Sequence, residues 1–194
     1  LKGVNLKKLF TEMENFGQGF LLAKHLKGNY KGRTEWAIQQ MKYAASASNR
    51  LGLKAHATFS GSLLWPMMHP WPQQPKGLIE LGFKELADRW KPILNTFQDN
   101  GVAVCYEVHP VEDIHDGDTF ERFLEATGNH KAVNMLYDPS HFVWQMMDYI
   151  RPLYEFKKKI FHVHYKDVKI YRDKLNEVGV MAYPLEFMSP KLPG

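Results

Sequence analysis

The sequence predicts an α/β domain built on a parallel sheet, and three observations point there. Helical and strand-like segments alternate four times along 194 residues. The strand-like segments are nearly continuous apolar runs, as expected of strands buried on both faces by helices. Each run ends in an unusual group of polar residues, at the position where α/β folds carry their chemistry. Two architectures satisfy these observations: a doubly wound open sheet and part of a (β/α)8 barrel. The dinucleotide fingerprint G-x-G-x-x-G and the phosphate-binding loop G-x-x-x-x-G-K-[ST] are both absent from the sequence,.

Residues 1–33 form a mixed polar stretch with no defined element. Thr34 to Arg50 reads as a helix capped by Thr34, with Trp36, Ile38, Met41, Ala44, Ala45 and Ala47 on a buried face and Gly52 as C-cap,. Leu53 to Phe59 is the first strand. The loop Ser60–Gly77 is rich in Pro and Trp, with Met68 and Trp71 as its anchors. Leu78 to Asn100 is a second helix in which Pro92 should kink or break the backbone, because it lacks an N–H and crowds the preceding turn,. Asn100-Gly101 signals a turn. Val102 to His109 is the second strand, ended by Pro110, and Asp118 to Thr127 a helix capped by Gly128. Val133 to Asp138 is the third strand. Ser140 to Tyr154 is mainly helical with a break near Pro152, and Ile160 to Tyr165 is the fourth strand. Beyond Asp167 the chain turns polar and ends raggedly at Lys191–Gly194.

Composition sets the outer limits. Hydrophobic residues make up 44% and charged residues 24%, ordinary values for a globular domain,. The single cysteine, Cys105, excludes an internal disulfide framework or a Cys-rich zinc module and reads as inert core,. No run of 18 apolar residues is present, so no membrane-spanning helix is expected, and a cytoplasmic protein is the simplest reading,. The net charge of +4 is too mild to signal nucleic-acid binding,. The run Lys157-Lys158-Lys159 fits the end of a helix, where cations complement the dipole,.

The strand ends carry the candidate chemistry. They read Glu107-Val108-His109-Pro110, Asp138-Pro139-Ser140-His141 and His162-Val163-His164-Tyr165-Lys166-Asp167, and the first strand runs into Thr58-Phe59-Ser60-Gly61. A buried carboxylate without a partner is expensive, and a bound cation reverses that cost. Two carboxylates and a histidine on successive strand ends suit Mn, Mg, Co, Fe or Zn better than Ca alone. Asp138 has a second reading as the N-cap of a helix with Pro139 at its first position. His162 shares the face of His164 and can trade roles with it, and His56 reads as a packed strand residue,.

The ordered set Thr58–Ser62, Tyr106–Pro110, Tyr137–Phe142 and His162–Asp167 resembles the sugar phosphate isomerase/epimerase family of xylose-isomerase-like TIM barrels. The resemblance runs from about Arg33 to Gly194. It implies a (β/α)8 barrel with one divalent metal ion (Mn, Mg, Co or Zn) inside its C-terminal mouth. The ligands it implies are Glu107, Asp138 and His164, with a further Glu on the eighth strand. It makes Glu107 also a catalytic carboxylate, one of a pair that moves a proton next to a carbonyl through an enediolate. His141, His109, Ser60, Trp65, Lys166 and Arg172 become substrate-binding residues, with Lys166 or Arg172 steadying an oxyanion or a substrate hydroxyl. The expected substrate is a sugar or sugar phosphate.

A full barrel needs roughly 250 residues. About strands 3–7 are recognisable, Glu186 is a weak substitute for the eighth-strand Glu, and a partial barrel is expected. An incomplete sheet exposes its edges and invites a homo-oligomer or another partner. Three other functions remain open: a non-catalytic barrel fragment that binds a partner, an endonuclease-IV-like DNA repair enzyme, and a metal-dependent dehydratase.

Overall fold

The computed structural model of the protein describes residues 28–68, 75–182 and 184–192. Trp71 and most of the N-terminal stretch lie outside these residues. The chain divides into two units at Met41/Lys42, and the sheet lies wholly in the second. The elements run α1 (Tyr30–Arg50), β1 (Ala55–Thr58), α2 (Trp65–Met68), α3 (Leu78–Asp99), β2 (Ala103–Glu107), α4 (Gly117–Ala126) and β3 (Val133–Tyr137). They continue with α5 (Pro139–Trp144), α6 (Arg151–Glu155), β4 (Ile160–Val163), β5 (Asp167–Ile170), α7 (Arg172–Val178) and β6 (Met188–Lys191).

Strands β1 to β4 form one sheet in sequence order, every pair parallel. That is the βα succession of a TIM barrel, here four strands long, and it excludes the doubly wound order. The sheet curls, so that residues of its two edge strands β1 and β4 come within 8 Å of each other. Closure of this kind follows from strand twist and tilt.

The core lies between the central strands and two helices. All five residues of β3 are buried, as are Val104 to Glu107 of β2. Phe83, Leu86, Trp90, Ile93, Leu94 and Phe97 of α3 and Phe120 and Phe123 of α4 cover them. Tyr106 is held edge-on between Trp90, at 4.8 Å, and Phe123, at 5.1 Å. Edge-to-face packing is favoured because ring edges are positive and faces negative.

Several expectations change. Helix α3 runs unbroken through Pro92. Pro92 is exposed while Ile93 and Leu94 beside it are buried, so the missing hydrogen bond lies on the solvent side, where helices bend at least cost. The break expected near Pro152 falls earlier, at residues 145–150, because Pro152 occupies the first turn of α6, where no N–H donor is needed,. Helix α1 starts four residues before Thr34. The polar tail forms helix α7 and an antiparallel pair, β5 with β6. Burial on both faces holds for β2 and β3 only; Phe161, His162 and Val163 of β4 are exposed, because this edge lacks a covering neighbour among the described residues.

Candidate metal and substrate site

The C-terminal ends of β2, β3 and β4 bring five predicted residues together: Glu107, Asp138, His141, His164 and Lys166. Glu107 closes β2. Asp138 follows β3 and caps α5. The Asp-Pro-Ser-His sequence explains what happens there. Pro139 presets the first helical turn. Asp138 Oδ1 then accepts from the Ser140 N–H at 3.0 Å and from the Ser140 hydroxyl at 2.6 Å. His141, three residues on, returns over Asp138 on the same helix face, with Nε2 3.4 Å from Oδ2,. Capping and site roles thus fall to different oxygens of one carboxylate.

Asp138 Oδ2 is buried, and no donor among the described residues meets it with hydrogen-bond geometry. The Lys166 ammonium approaches it to 2.7 Å as an ion-pair contact only. A buried carboxylate oxygen in this state is costly unless a cation is near. Glu107 Oε1 lies 3.1 Å from His141 Nε2, 3.3 Å from His164 Nδ1 and 3.7 Å from Lys166 Nζ. Burial pushes the Glu107 carboxyl upward. The His141 hydrogen bond and the charges of His164, His141 and Lys166 outweigh it and hold the group down at about 2,.

Glu107, Asp138 and His141 offer three ligand atoms within 4.8 Å of one another. His164 reaches the same two carboxylates, at 3.3 and 4.0 Å. Trp144 Nε1 donates to His141 Nδ1 at 3.3 Å,. His141 Nε2 faces the Glu107 carboxylate at 3.1 Å and the Lys166 ammonium at 2.9 Å. Both histidines thus turn a ring nitrogen to the two carboxylates, His141 through Nε2 and His164 through Nδ1. The buried Asp138 Oδ2, the ionised Glu107 and a ring nitrogen of His141 or His164 are donors that fit a hard or borderline divalent cation,.

The other predicted residues surround this group. His109 packs edge-on against His141, its ring centroid 4.0 Å away, and against Phe59 at 5.3 Å. Burial lowers its pKa. The Ser60 hydroxyl accepts from the Ile114 N–H at 3.0 Å and is engaged in loop structure. Trp65 meets the His115 ring at 4.9 Å. Arg172 lies on α7, its guanidinium 3.6 Å from Met146 Sδ. Glu186 pairs with Lys174 at 3.2 Å on the exposed tail.

Sequence reasoning overlooked Asp113. This fully buried carboxylate accepts from the N–H groups of Leu63, Leu64 and Trp65 at 2.8, 2.6 and 2.9 Å. Its neighbour Glu112 accepts from the Gly61 N–H at 2.7 Å. Together they tie the loop after β1 to the loop after β2. The available signal was an acidic pair, Glu112-Asp113, just before the apolar Ile114.

Residues 18–178 match the description of the xylose isomerase-like TIM barrel family. The chain belongs to this family. Among curated proteins it is 33% identical over 72 residues to an inosose dehydratase of Geobacillus thermodenitrificans, covering 37% of this chain. The stretches matched in three curated relatives are 33%, 24% and 35% of those proteins' lengths, so the chain spans about a third of them or less. Among solved structures it is similar to the probable 3-DHS dehydratase AsbF of Bacillus anthracis, with a TM-score of 0.60 and 18% identity over 80% of this chain and 54% of that one. It is also similar to the 3-keto-D-glucoside 4-epimerase YcjR of E. coli, with a TM-score of 0.55 and 16% identity over 66% of this chain and 49% of that one. At these identities the two structures support the xylose isomerase-like fold and no more. No helix among the described residues is long and apolar enough to cross a membrane.

Proposed function

We propose that this chain carries the metal-binding part of an enzyme that moves a proton next to a carbonyl in a sugar or sugar-derived substrate, as an isomerase, epimerase or dehydratase. The observation that carries this reading is Asp138 Oδ2, a buried carboxylate oxygen without a hydrogen bond that converges with Glu107 and two histidines at the strand ends. The resemblance in sequence to an inosose dehydratase agrees with it.

In this reading Glu107, Asp138 and His164 hold one divalent cation. When bound, such an ion supplies Lewis-acid polarisation of substrate oxygens. The chain's own residues do the rest. Glu107, held ionised, takes the proton from the hydroxyl-bearing carbon beside the carbonyl, the C–H electron pair becomes the new C=C bond, and the carbonyl π pair moves to its oxygen, leaving an enediolate. The Lys166 ammonium is a donor that faces this region and binds the charged oxygen,. His109 holds the His141 ring by edge contact. The low pKa of Glu107 suits a permanent anion in the metal-free chain; a base working near neutral pH requires that its neighbours rearrange when substrate and ion are bound.

Incubation of the purified chain with Mn2+ and candidate ketoses in D2O tests this. Deuterium incorporation beside the carbonyl, lost in Asp138→Ala and Glu107→Gln, is the expected result. Absence of exchange with every ketose, from a chain that does bind Mn2+, refutes the reaction and leaves only a metal-binding protein.

A further inference from the structure

The position of Lys166 has a consequence for how an ion enters. Its ammonium lies 2.7 Å from Asp138 Oδ2 and 3.7 Å from Glu107 Oε1. Those are the two carboxylate oxygens that His164 also faces. Like the ion, the ammonium is a cation, so it occupies the electrostatic position a metal requires. The fit is imperfect in a telling way. Nζ is also 2.9 Å from His141 Nε2, so the ammonium is shared between a ring nitrogen and two carboxylates. Oδ2 keeps no well-formed hydrogen bond. The Lys166 side chain is 37% exposed, so it has a path out to solvent.

We infer that Lys166 is a tethered cation that neutralises the Glu107–Asp138 pair in the metal-free chain and is displaced when a divalent ion binds. This rests on the metal-site reading above and deepens it. Two cations cannot share those oxygens at ligand distance, because they repel and the oxygen lone pairs are finite. Displacement removes that repulsion. It frees the ammonium to face a substrate oxygen, so that metal loading and presentation of Lys166 become one event.

The inference is tested on the full chain with Mn2+ alone. Isothermal titration compares the wild type with Lys166→Met and Lys166→Gln, with Lys174→Gln as a control for simple loss of positive charge. Affinity is expected to rise about tenfold in both Lys166 variants and to change little in the control, with tenfold corresponding to about 1.4 kcal/mol. In the wild type, reductive methylation followed by peptide mass spectrometry is expected to show Lys166 modified faster with Mn2+ than without, which does not depend on any variant folding. Equal affinities together with unchanged Lys166 reactivity overturn the displacement and leave the metal site standing. Failure of wild type and variants alike to bind Mn2+ overturns the metal site and the inference with it.

Discussion

Replacing Asp113 by alanine removes one carboxylate that holds three backbone N–H groups, from a residue about 50 positions away in sequence. Hydrogen bonds to a charged acceptor contribute about 1.5–3 kcal/mol each when buried. The three are not equivalent. Leu64 is fully buried, and its N–H, 2.6 Å from Oδ1, loses its acceptor in a place that excludes water. Leu63 and Trp65 are partly exposed, so water replaces the lost acceptor there at much smaller cost, about 0.5–1 kcal/mol each. The expected loss is about 3–4 kcal/mol in all. Asp113→Asn refines the argument. Its oxygen, placed at the Oδ1 position, retains the bonds to Leu64 and Trp65, while its NH2 group faces the Leu63 N–H. It should cost about 1–2 kcal/mol. Urea unfolding followed by tryptophan fluorescence measures both. A loss under about 1 kcal/mol for the alanine variant, or an asparagine variant as damaged as the alanine one, would show that the loop is held by something else.

Three further outcomes are expected. Gly82→Ala should destabilise by about 1–2 kcal/mol although alanine favours helices, because the new Cβ would lie 2.0 Å from Leu64 Cδ2 and 2.6 Å from its Cγ,; a rise in melting temperature would contradict this. Tyr106→Phe should be neutral or stabilising by up to about 1 kcal/mol, since the buried hydroxyl has no partner among the described residues and the contacts with Trp90 and Phe123 survive,; a clear loss in denaturant midpoint would mean that the hydroxyl is bonded. The third concerns pH. Burial lowers the pKa of His56 below its ordinary 6.5. Its folded state favours the neutral ring, so its contribution to stability is fully present above 6.5 and is lost as pH falls through the lower folded value. Thermal melts between pH 7.5 and 5 should fall less steeply for His56→Gln than for the wild type, and parallel curves would exclude this histidine.

Much of the site was legible because its parts are local. Asp138-Pro139-Ser140-His141 encodes a cap, a preset turn and a histidine one turn on, so the chain itself places His141 over Asp138. The cap reading of Asp138 is met by one oxygen, Oδ1, which leaves Oδ2 for the metal role proposed above. The contacts described for Ser60, Trp65 and Arg172 are with the Ile114 N–H, the His115 ring and Met146 Sδ, none of them predicted from the sequence. Residue type alone does not reveal which partner a hydroxyl or an indole will find.

The alternation of apolar runs with helical segments, and the polar residues ending each run, determine by themselves that a parallel sheet forms with chemistry at one end. Period and capping act within a few residues and need no distant partner. Register and long-range contact are decided only in three dimensions. An extra residue at Phe161 shifts the pairing, so that Met135 faces Ile160 but Leu136 faces His162, and a shift of one residue turns every later side chain to the other face. That shift aligns His162, not Phe161, with Leu136, and it carries His164 toward Glu107. His141 meets Glu107, 34 residues before it, and the charge facing Asp138 comes from Lys166, 28 residues after it. Such interactions depend on how sheet and loops close, which no local pattern of residues encodes.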